Sequence, residues 1–338
     1  MAPGQDLDGH PRPPRLSAEE LGSAFGDVLT AAIGKTMVPA GLPRRLSSGA
    51  SRESWVFEVA PGVEGPRRFV VQLFPERHIG TGLTAMSEAQ LLAVASDGGV
   101  PVPRVVAAGG PGGPPGAAFL VTEWIDGETL PSRIFRDPTY RPGLAGLQRE
   151  CASALARIHD LPVDATHLRP LDPIEPYRDD LAASGQSHPA LEWAYRWLIQ
   201  NRPQGNPPCI VHGDFRLGNL MVDGRGLRAV LDWELAHIGD PYEDVAWPMV
   251  RAWRFDRVRP AGVFPDRESW LSAYGEASGL DVDPDIVRWW EIAGTFKWGV
   301  ICLTQWLRHR DGATRSVELA AIGRRVAENE YDLLGLIP

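Results

Sequence analysis

The acidic and amide side chains near residue 220 are the part of this 338-residue sequence best suited to chemistry. Asp214 and Asn219 lie in one short polar segment, and Asp232 follows at the end of an apolar stretch. A carboxylate such as Asp214 can accept the proton of an attacking hydroxyl. Carboxylate and amide oxygens are ligands for Mg²⁺, so Asn219 and Asp232 could hold that ion against phosphate groups. These residue types predict phosphoryl transfer from a nucleotide.

The spacing of these side chains favours the same chemistry. Asp214 and Asn219 are five residues apart, which is the Asp-to-Asn separation of the protein-kinase catalytic loop. A hairpin that turns at residues 223–226 would bring Asp232 back beside Asn219. Asp232 and Glu234 could instead be the carboxylate pair of a glycosidase. Side chains two residues apart on a strand share one face, however, and do not flank a sugar ring from opposite sides.

Three motifs occur in order along the chain. They are His-Gly-Asp-x-x-x-x-Asn at residues 212–219, Leu-Asp-Trp-Glu at residues 231–234, and Gly-Asp-Pro-x-x-Asp-Val-Ala at residues 239–246. This combination resembles the aminoglycoside phosphotransferase and choline kinase family, which is related to the protein kinases. Within that family it is most similar to bacterial phosphotransferases whose acceptors are mostly unassigned. The resemblance extends over residues 20–310.

The resemblance implies a role for several residues. Asp214 would be the base, and Asn219 and Asp232 would hold magnesium. ATP or GTP would be the phosphoryl donor, and a small hydroxylated molecule the acceptor. His212 is expected to hold the loop through hydrogen bonds, with a direct role in the reaction as the alternative. Glu234 would either assist metal or substrate binding or brace the loop.

The segment before the first predicted strand contains small residues, among them Ser48, Gly49 and Ser51. Small side chains let backbone N–H groups approach phosphate oxygens, although an ordinary Ser/Gly turn has the same composition. The resemblance implies that this segment covers the nucleotide phosphates. It also implies that Glu123 and Ile125, in the segment between two lobes, contact the adenine through their backbone groups.

One position departs from the family pattern. Protein kinases place a lysine on the third strand, where it pairs with a glutamate on the next helix. Here Gln72 stands at the lysine position and Glu88 at the glutamate position. Gln72 brings no charge to the α- and β-phosphates, Arg77 is an alternative source of that charge, and ATP affinity is expected to be weak. The role of Glu88, with no lysine opposite it, is left open. Gln72 also favours a different function, a catalytically silent nucleotide-binding regulator, whereas the intact base and metal ligands favour an enzyme.

The acceptor site is expected among the aromatic residues of the C-terminal half, because ten of the 12 tryptophans follow residue 190. Tyr177, Trp247 and Trp298 are the candidates for its walls, although large aromatic residues are usually part of the core. The arginines of residues 251–259 indicate either a solvated helix face or a site for a carboxylate or phosphate on the acceptor. An aminoglycoside would require a densely acidic site, so it is not the favoured acceptor.

Apolar periodicity around these residues predicts an α+β chain, and the resemblance implies a two-lobed protein-kinase-like fold. Residues 1–16 are rich in Pro and Gly and are expected to form a disordered tail. Residues 17–125 are expected to form the nucleotide-binding lobe, a small antiparallel sheet with a packed helix. Residues 126–338 are expected to form a larger, mainly helical lobe that carries the catalytic loop and the acceptor site.

Individual elements follow from local patterns. Ser17 and Glu20 predict a capping box at the start of a helix, and Asp240 followed by Pro241 predicts a later N-cap. Alternating and β-branched residues predict strands, and apolar stripes at helical spacing predict helices. The strands are expected at residues 55–59, 68–74 and 119–125, and the helices at residues 86–95, 147–159 and 191–199.

Composition narrows the class of protein. The net charge of −9 disfavours nucleic acid as a partner. No stretch approaches the ~20 apolar residues of a membrane-spanning helix. Three widely spaced cysteines are best explained as free thiols in the reducing cytoplasm. The chain is expected to act as a monomer or homodimer on a nucleotide and a small molecule.

Overall fold

The structure is a computed structural model that describes residues 17–46, 52–62, 65–74, 82–114, 116–254, 264 and 266–338. Two compact units are present. The first contains the chain up to Gly127 together with the segments Asp164–His167 and Arg228–Leu235. The second contains Glu128–Val163, Leu168–Leu227 and Ala236–Pro338. The tail expected at residues 1–16 lies outside the described residues.

The first unit is a five-stranded antiparallel sheet with two helices. Its elements are α1 (Ala18–Ile33), β1 (Arg44–Arg45), β2 (Glu53–Gly62), β3 (Gly65–Leu73), α2 (Ala85–Asp97), β4 (Val105–Gly109) and β5 (Phe119–Glu123). The strand order is β1-β2-β3-β5-β4, and every neighbouring pair is antiparallel. The predicted strands and the predicted helix near residue 90 are confirmed. The strand β4 was not predicted.

Helix α1 begins with the predicted capping box. The Glu20 N–H donates to Ser17 Oγ (3.2 Å), and the Ser17 N–H donates to Glu20 Oε2 (2.7 Å). The apolar stripe of α1 packs on one face of the sheet, against alternate residues of β2, β3 and β5. Val71 is buried in this core. Because successive strand residues face opposite sides, Gln72 lies on the other face of the sheet.

The second unit is mainly helical. Its helices are α3 (Pro131–Arg136), α4 (Arg141–Leu144), α5 (Leu147–His159), α6 (Glu175–Ala183), α7 (Pro189–Gln200), α8 (Tyr242–Ala246), α9 (Arg267–Ser278), α10 (Pro284–Arg310), α11 (Val317–Gly323) and α12 (Arg325–Leu336). Strand β6 (Cys209–Val211) pairs with β9 (His237–Gly239), and β7 (Leu220–Asp223) forms a hairpin with β8 (Gly226–Val230), whose residues from Arg228 onward belong to the first unit. The predicted helix at 147–159 is confirmed, and the one predicted at 191–199 extends over Pro189–Gln200.

Helix α10 organises the packing of the second unit, since it contacts α6, α7, α8, α11 and α12. It begins after Asp283, whose Oδ1 accepts the N–H of Asp285 at 2.8 Å. Helix α8 begins one residue later than predicted, with Pro241 as its N-cap. Asp240 still accepts the Tyr242 N–H (2.9 Å), so the predicted capping side chain binds the helix terminus. Among the helices within the described ranges, none has the length and apolarity required to cross a membrane.

Candidate active site

The loop that carries Asp214 is held by a buried carboxylate from helix α8. Asp244 accepts the backbone N–H of His212 at 2.6 Å and that of Gly213 at 2.9 Å. Gly213 has φ 80°, a conformation that glycine adopts at low cost. His212 is fully buried, and its Nδ1 accepts the N–H of Asp214 at 3.2 Å. Both side chains therefore hold the backbone in a fixed path up to Asp214.

Three donors from the second unit surround the Asp214 carboxylate. Oδ1 accepts from Trp247 Nε1 at 2.7 Å and from Arg216 Nε at 2.9 Å. Oδ2 accepts from Asn219 Nδ2 at 2.6 Å. The side chain is 14% exposed, so one edge still reaches solvent. The carboxylate is therefore held in one orientation without being sealed off.

Asn219 ends the single 3₁₀ turn Leu217–Asn219. Its Nδ2 also donates to the backbone carbonyl of Asp214 at 3.0 Å, so the amide closes the six-residue loop. Since Nδ2 faces Asp214, Oδ1 points in a different direction. Within the described residues Oδ1 accepts no hydrogen bond, and it is an oxygen of the type that Mg²⁺ binds.

Two cations that the sequence analysis did not identify lie next to this loop. The Arg216 guanidinium stacks on the Trp253 ring at 4.4 Å. Lys297, on α10, is 4% exposed and donates to the Gly213 carbonyl (3.2 Å) and to Glu243 Oε1 (3.0 Å). Lys297 is one of only two lysines in the sequence, and it stands between Phe296 and Trp298. The sequence signal that could have identified Lys297 is its position as a charged residue within an apolar helical stretch.

The ion pair between Lys297 and Glu243 is charged despite its burial. Burial raises the pKa of Glu243, but Lys297 and His237 lower it further, and the result is about 2. Burial lowers the pKa of Lys297, yet Tyr177 and Glu243 outweigh burial and hold it above its ordinary value. A permanent positive charge therefore lies under the Asp214 loop.

The three aromatic candidates have different positions in the second unit. Trp247 is in direct contact with Asp214, as described above. Trp298 reaches it through Trp253, with ring centroids of Trp253 at 5.3 Å from Trp247 and 4.6 Å from Trp298. Tyr177 lies outside this cluster, with its ring 5.8 Å from Lys297 Nζ. Of the three candidates, Trp247 is therefore the one in direct contact with Asp214.

The arginines at the start of residues 251–259 are bound within the second unit. Arg251 pairs with Asp332 at 2.5 Å, and Arg254 pairs with Glu291 at 2.8 Å and donates to the Met249 carbonyl. The remaining two arginines lie outside the described residues. Arg251 and Arg254 therefore each have an acidic partner, and Arg254 shares Glu291 with Arg267.

Asp232 belongs to the first unit. Among all described residues other than glycine, it is the only one with a positive φ (64°). This left-handed conformation is unfavourable for a residue with a Cβ, and Asp tolerates it better than most. The next residue, Trp233, is buried, and its Nε1 donates to the Val230 carbonyl at 3.2 Å. Packing of Trp233 thus holds an exposed carboxylate in a strained conformation, which is a recurrent feature of functional sites.

Glu88 has a cationic partner, Arg52, that the sequence analysis did not identify. Arg52 Nη1 lies 2.6 Å from Glu88 Oε2, and Arg52 Nε lies 3.6 Å from Glu234 Oε2. The guanidinium also stacks on the Phe74 ring at 4.0 Å. Arg52 precedes β2, in a polar segment without periodicity, so nothing in the sequence indicated this pairing. Gln72 itself lies opposite Ser54 in the sheet and carries no charge.

Of the other predicted nucleotide contacts, some lie outside the described residues and two lie at the end of β5. Ser48, Gly49 and Ser51 lie outside the described residues, as does Arg77. The Glu123 side chain pairs with Arg67 at 2.7 Å, and its N–H donates to the Arg104 carbonyl at 2.9 Å. Ile125 follows β5, and in the described part of the chain its backbone makes no hydrogen bond.

No group of three or more His, Cys, Asp or Glu side chains within the described ranges has the arrangement of a metal site. Mg²⁺ in phosphoryl transfer uses one or two protein ligands and completes its shell with phosphate oxygens and water. The oxygens of Asn219 and Asp232 fit such a role by their chemistry.

Comparison with known proteins assigns the family. Residues 43–290 match the model of the Phosphotransferase enzyme family, and the chain belongs to that family. It is similar to acyl-CoA dehydrogenase family member 10 of Mus musculus, with 31% identity over 60% of this chain and 20% of the relative. Family member 11 of Homo sapiens is 30% identical over 54% of this chain and 26% of the relative. The chain thus spans about a fifth to a quarter of these relatives.

Solved structures assign the fold. A Ralstonia eutropha protein described as an aminoglycoside phosphotransferase superposes with a TM-score of 0.72 at 21% identity, covering 93% of this chain and 97% of that one. A choline/ethanolamine kinase family protein from Mesorhizobium loti gives a TM-score of 0.60 at 15% identity over 88% of each chain. The GDP complex of aminoglycoside 2′-phosphotransferase-IIIa gives 0.65 at 14% identity, over 92% and 99%. The fold is therefore α+β and protein-kinase-like.

Proposed function

We propose that this phosphotransferase moves the γ-phosphoryl group of ATP or GTP to a hydroxyl of a small molecule, with Asp214 as the base. The observation that carries the proposal is the fixed orientation of the Asp214 carboxylate between Asn219, Trp247 and Arg216. In phosphoryl transfer the protein mainly positions groups and stabilises charge. A carboxylate that is held in place and still partly open to solvent suits acceptance of the acceptor's hydroxyl proton.

Asn219 and Asp232 are the proposed magnesium ligands. The Asn219 amide turns its nitrogen toward Asp214 and leaves an oxygen for the ion, while the strained backbone of Asp232 presents an exposed carboxylate. Bound magnesium would neutralise phosphate charge and align the leaving group. Asn219→Ala and Asp232→Asn are each expected to raise the magnesium concentration needed for half-maximal turnover.

The nucleotide is proposed to bind in the first unit, with the Ser48, Gly49 and Ser51 segment over the phosphates. Glu123 and Ile125 would contact the base. The free backbone groups of Ile125 support this, since an adenine edge needs one donor and one acceptor. The GDP complex of a protein with the same fold supports purine nucleotides generally, so ATP and GTP both belong in the assay.

The acceptor is proposed to be neutral or anionic, with Tyr177, Trp247 and Trp298 as candidate contacts and Glu234 as a candidate on the nucleotide side. Arg216 covers the face of Trp253, and Lys297 lies 4.8 Å from the Trp247 ring centroid. These resident cations occupy the aromatic faces that would otherwise attract an ammonium group, and they repel a polycation such as an aminoglycoside. A hydroxylated acyl-CoA is one anionic member of the panel, because curated relatives are named for acyl-CoA dehydrogenation.

The test is nucleotide consumption in the presence of magnesium over a panel of cationic, neutral and anionic hydroxylated compounds. Asp214→Asn is expected to lower kcat about 10²- to 10⁴-fold, the usual contribution of a general base. Asp179→Asn, an exposed carboxylate of the same unit, is the matched control and should leave kcat unchanged. Full turnover by Asp214→Asn would refute the assignment of the base.

A catalytically silent nucleotide-binding regulator is the second candidate, and Gln72 is the observation that favours it. The two functions differ in their response to magnesium. Thermal stabilisation by ATP that is independent of magnesium, with no turnover on the panel, would favour the regulator. In either case the three buried free thiols fit a reducing compartment, and we propose the cytoplasm.

A further inference from the structure

The Arg52 cluster, which consists of Arg52, Phe74, Glu88 and Glu234, contains a buried guanidinium whose N–H donors are only partly used. The Arg52 side chain is 7% exposed, and Glu88 beside it is 3% exposed. Nη1 faces Glu88, and Nε lies within ion-pair distance of Glu234. Within the described ranges, neither buried Nη1 nor Glu88 Oε2 has a hydrogen-bond partner, although the two atoms lie 2.6 Å apart. Burial of a guanidinium is expensive, so a donor left over at such a site indicates a ligand that supplies acceptors.

We propose that Arg52 is the cation that binds the nucleotide phosphates in this protein, in place of a lysine on β3; the proposal rests on the proposed nucleotide-dependent function. Its geometry suits an oxyanion, because the guanidinium presents several N–H donors in a fixed plane and can bind phosphate through two of them. Glu88 on α2 and Phe74 at the end of β3 fix that plane from two directions.

The electrostatics of the cluster leave charge for a phosphate. Burial raises the pKa of Glu88, and although the charge of Arg52 opposes this, Glu234 adds to it. The environment therefore disfavours ionisation of Glu88, so this carboxylate competes less for Arg52 than an ordinary one would. A phosphate bound to the guanidinium would supply acceptor oxygens to Arg52.

The competing explanation is that Arg52 only stabilises the buried Glu88. The two explanations differ in which part of the nucleotide is affected. A phosphate ligand on Arg52 predicts that Arg52→Gln weakens MgADP binding about tenfold or more, while adenosine binding stays at the wild-type value. A purely structural arginine predicts that both affinities fall together, because the whole sheet is disturbed.

The experiment is isothermal titration of MgADP and adenosine into the full chain and its variants. Arg52→Lys should retain part of the MgADP affinity, since the charge remains and the planar donor pair is lost. The double variant Arg52→Gln/Glu88→Gln should remain as weak as Arg52→Gln toward MgADP. Arg45→Gln, which removes an exposed arginine of the same unit, is the control and should bind both ligands normally.

Three outcomes would overturn the proposal. The first is MgADP affinity of Arg52→Gln equal to wild type. The second is an equal fall of MgADP and adenosine affinity in Arg52→Gln. The third is recovery of MgADP binding in the double variant, since removal of the Glu88 charge would then restore binding. Should Arg52→Gln be too unstable to titrate, the ratio of MgADP to adenosine affinity in Arg52→Lys decides, and an unchanged ratio refutes the phosphate contact. Turnover of the wild type is measured separately, so loss of the Arg52 role is distinguishable from absence of phosphotransfer.

Discussion

The Asp214 loop and the Arg52 cluster are assembled in opposite ways. Asp214, Arg216 and Asn219 come from six consecutive residues. Among the described carboxylates of the second unit, only Asp244 accepts hydrogen bonds from the backbone N–H groups of residues 212 and 213. Arg52, Glu88 and Glu234 come from three segments far apart in the chain. A contiguous motif keeps its geometry through local hydrogen bonds, whereas a dispersed cluster exists only when the sheet, α2 and the segment Arg228–Leu235 are all folded.

The charge balance of the two regions also differs. The carboxylate of Asp214 accepts three hydrogen bonds and is partly open to water. Glu88 is more deeply buried and has one cation and a second carboxylate nearby. The hydrogen bonds of the Asp214 loop therefore stabilise the negative charge of its carboxylate. In the Arg52 cluster, burial makes a negative charge on Glu88 energetically unfavourable. Experiments that remove single charges should separate the two regions.

The largest effect on stability is expected from the cation beneath the Asp214 loop. Lys297→Met leaves Glu243 buried with less compensation and removes the donor to the Gly213 carbonyl. Removal of one member of a buried ion pair costs about 3–5 kcal/mol in free energy of unfolding. Urea denaturation measures this loss. Lys35→Met, the exposed lysine of the first unit, is the control, with an expected change within about 0.5 kcal/mol.

Asp244→Asn should have the next largest effect. The carboxylate binds two buried backbone N–H groups, and the amide can replace only one acceptor oxygen. We expect a loss of about 1.5–3 kcal/mol and a lower kcat, because the path of residues 212–214 is no longer held. Nucleotide affinity, which we propose depends on the first unit, should stay near the wild-type value. An unchanged kcat together with an unchanged unfolding midpoint would contradict the bracing role of Asp244.

Acidification should destabilise the region around Glu243 and remove an unfavourable charge from the region around Glu88. The pKa of Glu243 is lowered to about 2 from its ordinary value of 4.5, so its stabilisation is complete above pH 4.5 and is lost as pH falls toward 2. The pKa of Glu88 is raised, so protonation in acid relieves a cost of folding. Hydrogen exchange from about pH 5 to about pH 3 should therefore show earlier opening of α8 and α10 than of α2. The Glu243→Gln variant should lose most of this acid dependence in the second unit.

The smallest effect is expected at the N-terminus of α1, remote from both regions. Ser17→Ala removes one half of the capping box and should cost about 1 kcal/mol. Ser23→Ala, in the exposed middle of the same helix, is the matched control and should be neutral or slightly stabilising. Neither variant should alter MgADP affinity. A change in affinity for Ser17→Ala would show that the Arg52 cluster depends on α1 as well as on α2.

Local patterns were sufficient for much of the fold. The capping box at Ser17, the β2–β3 hairpin and helix α5 each depend on residues close in sequence, and each was predicted. Strand β4 was not, because the segment Val105–Gly109 is short, rich in alanine and half-buried, without an alternation of apolar and polar residues. The start of α8 differed by one residue, since Asp240 binds the terminus from just outside the helix.

The sequence by itself determined the contiguous part of the site, because the spacing of Asp214 and Asn219 is set by a single loop. Family membership followed from the same residues. Only the tertiary structure decided which cations pair with the buried acidic and carbonyl groups. Arg52 meets Glu88 across a folded sheet, and Lys297 reaches the Gly213 carbonyl from a helix more than eighty residues away in the chain. Ion pairs between distant segments have no period and no local signature, so they become visible only when packing brings the charges together.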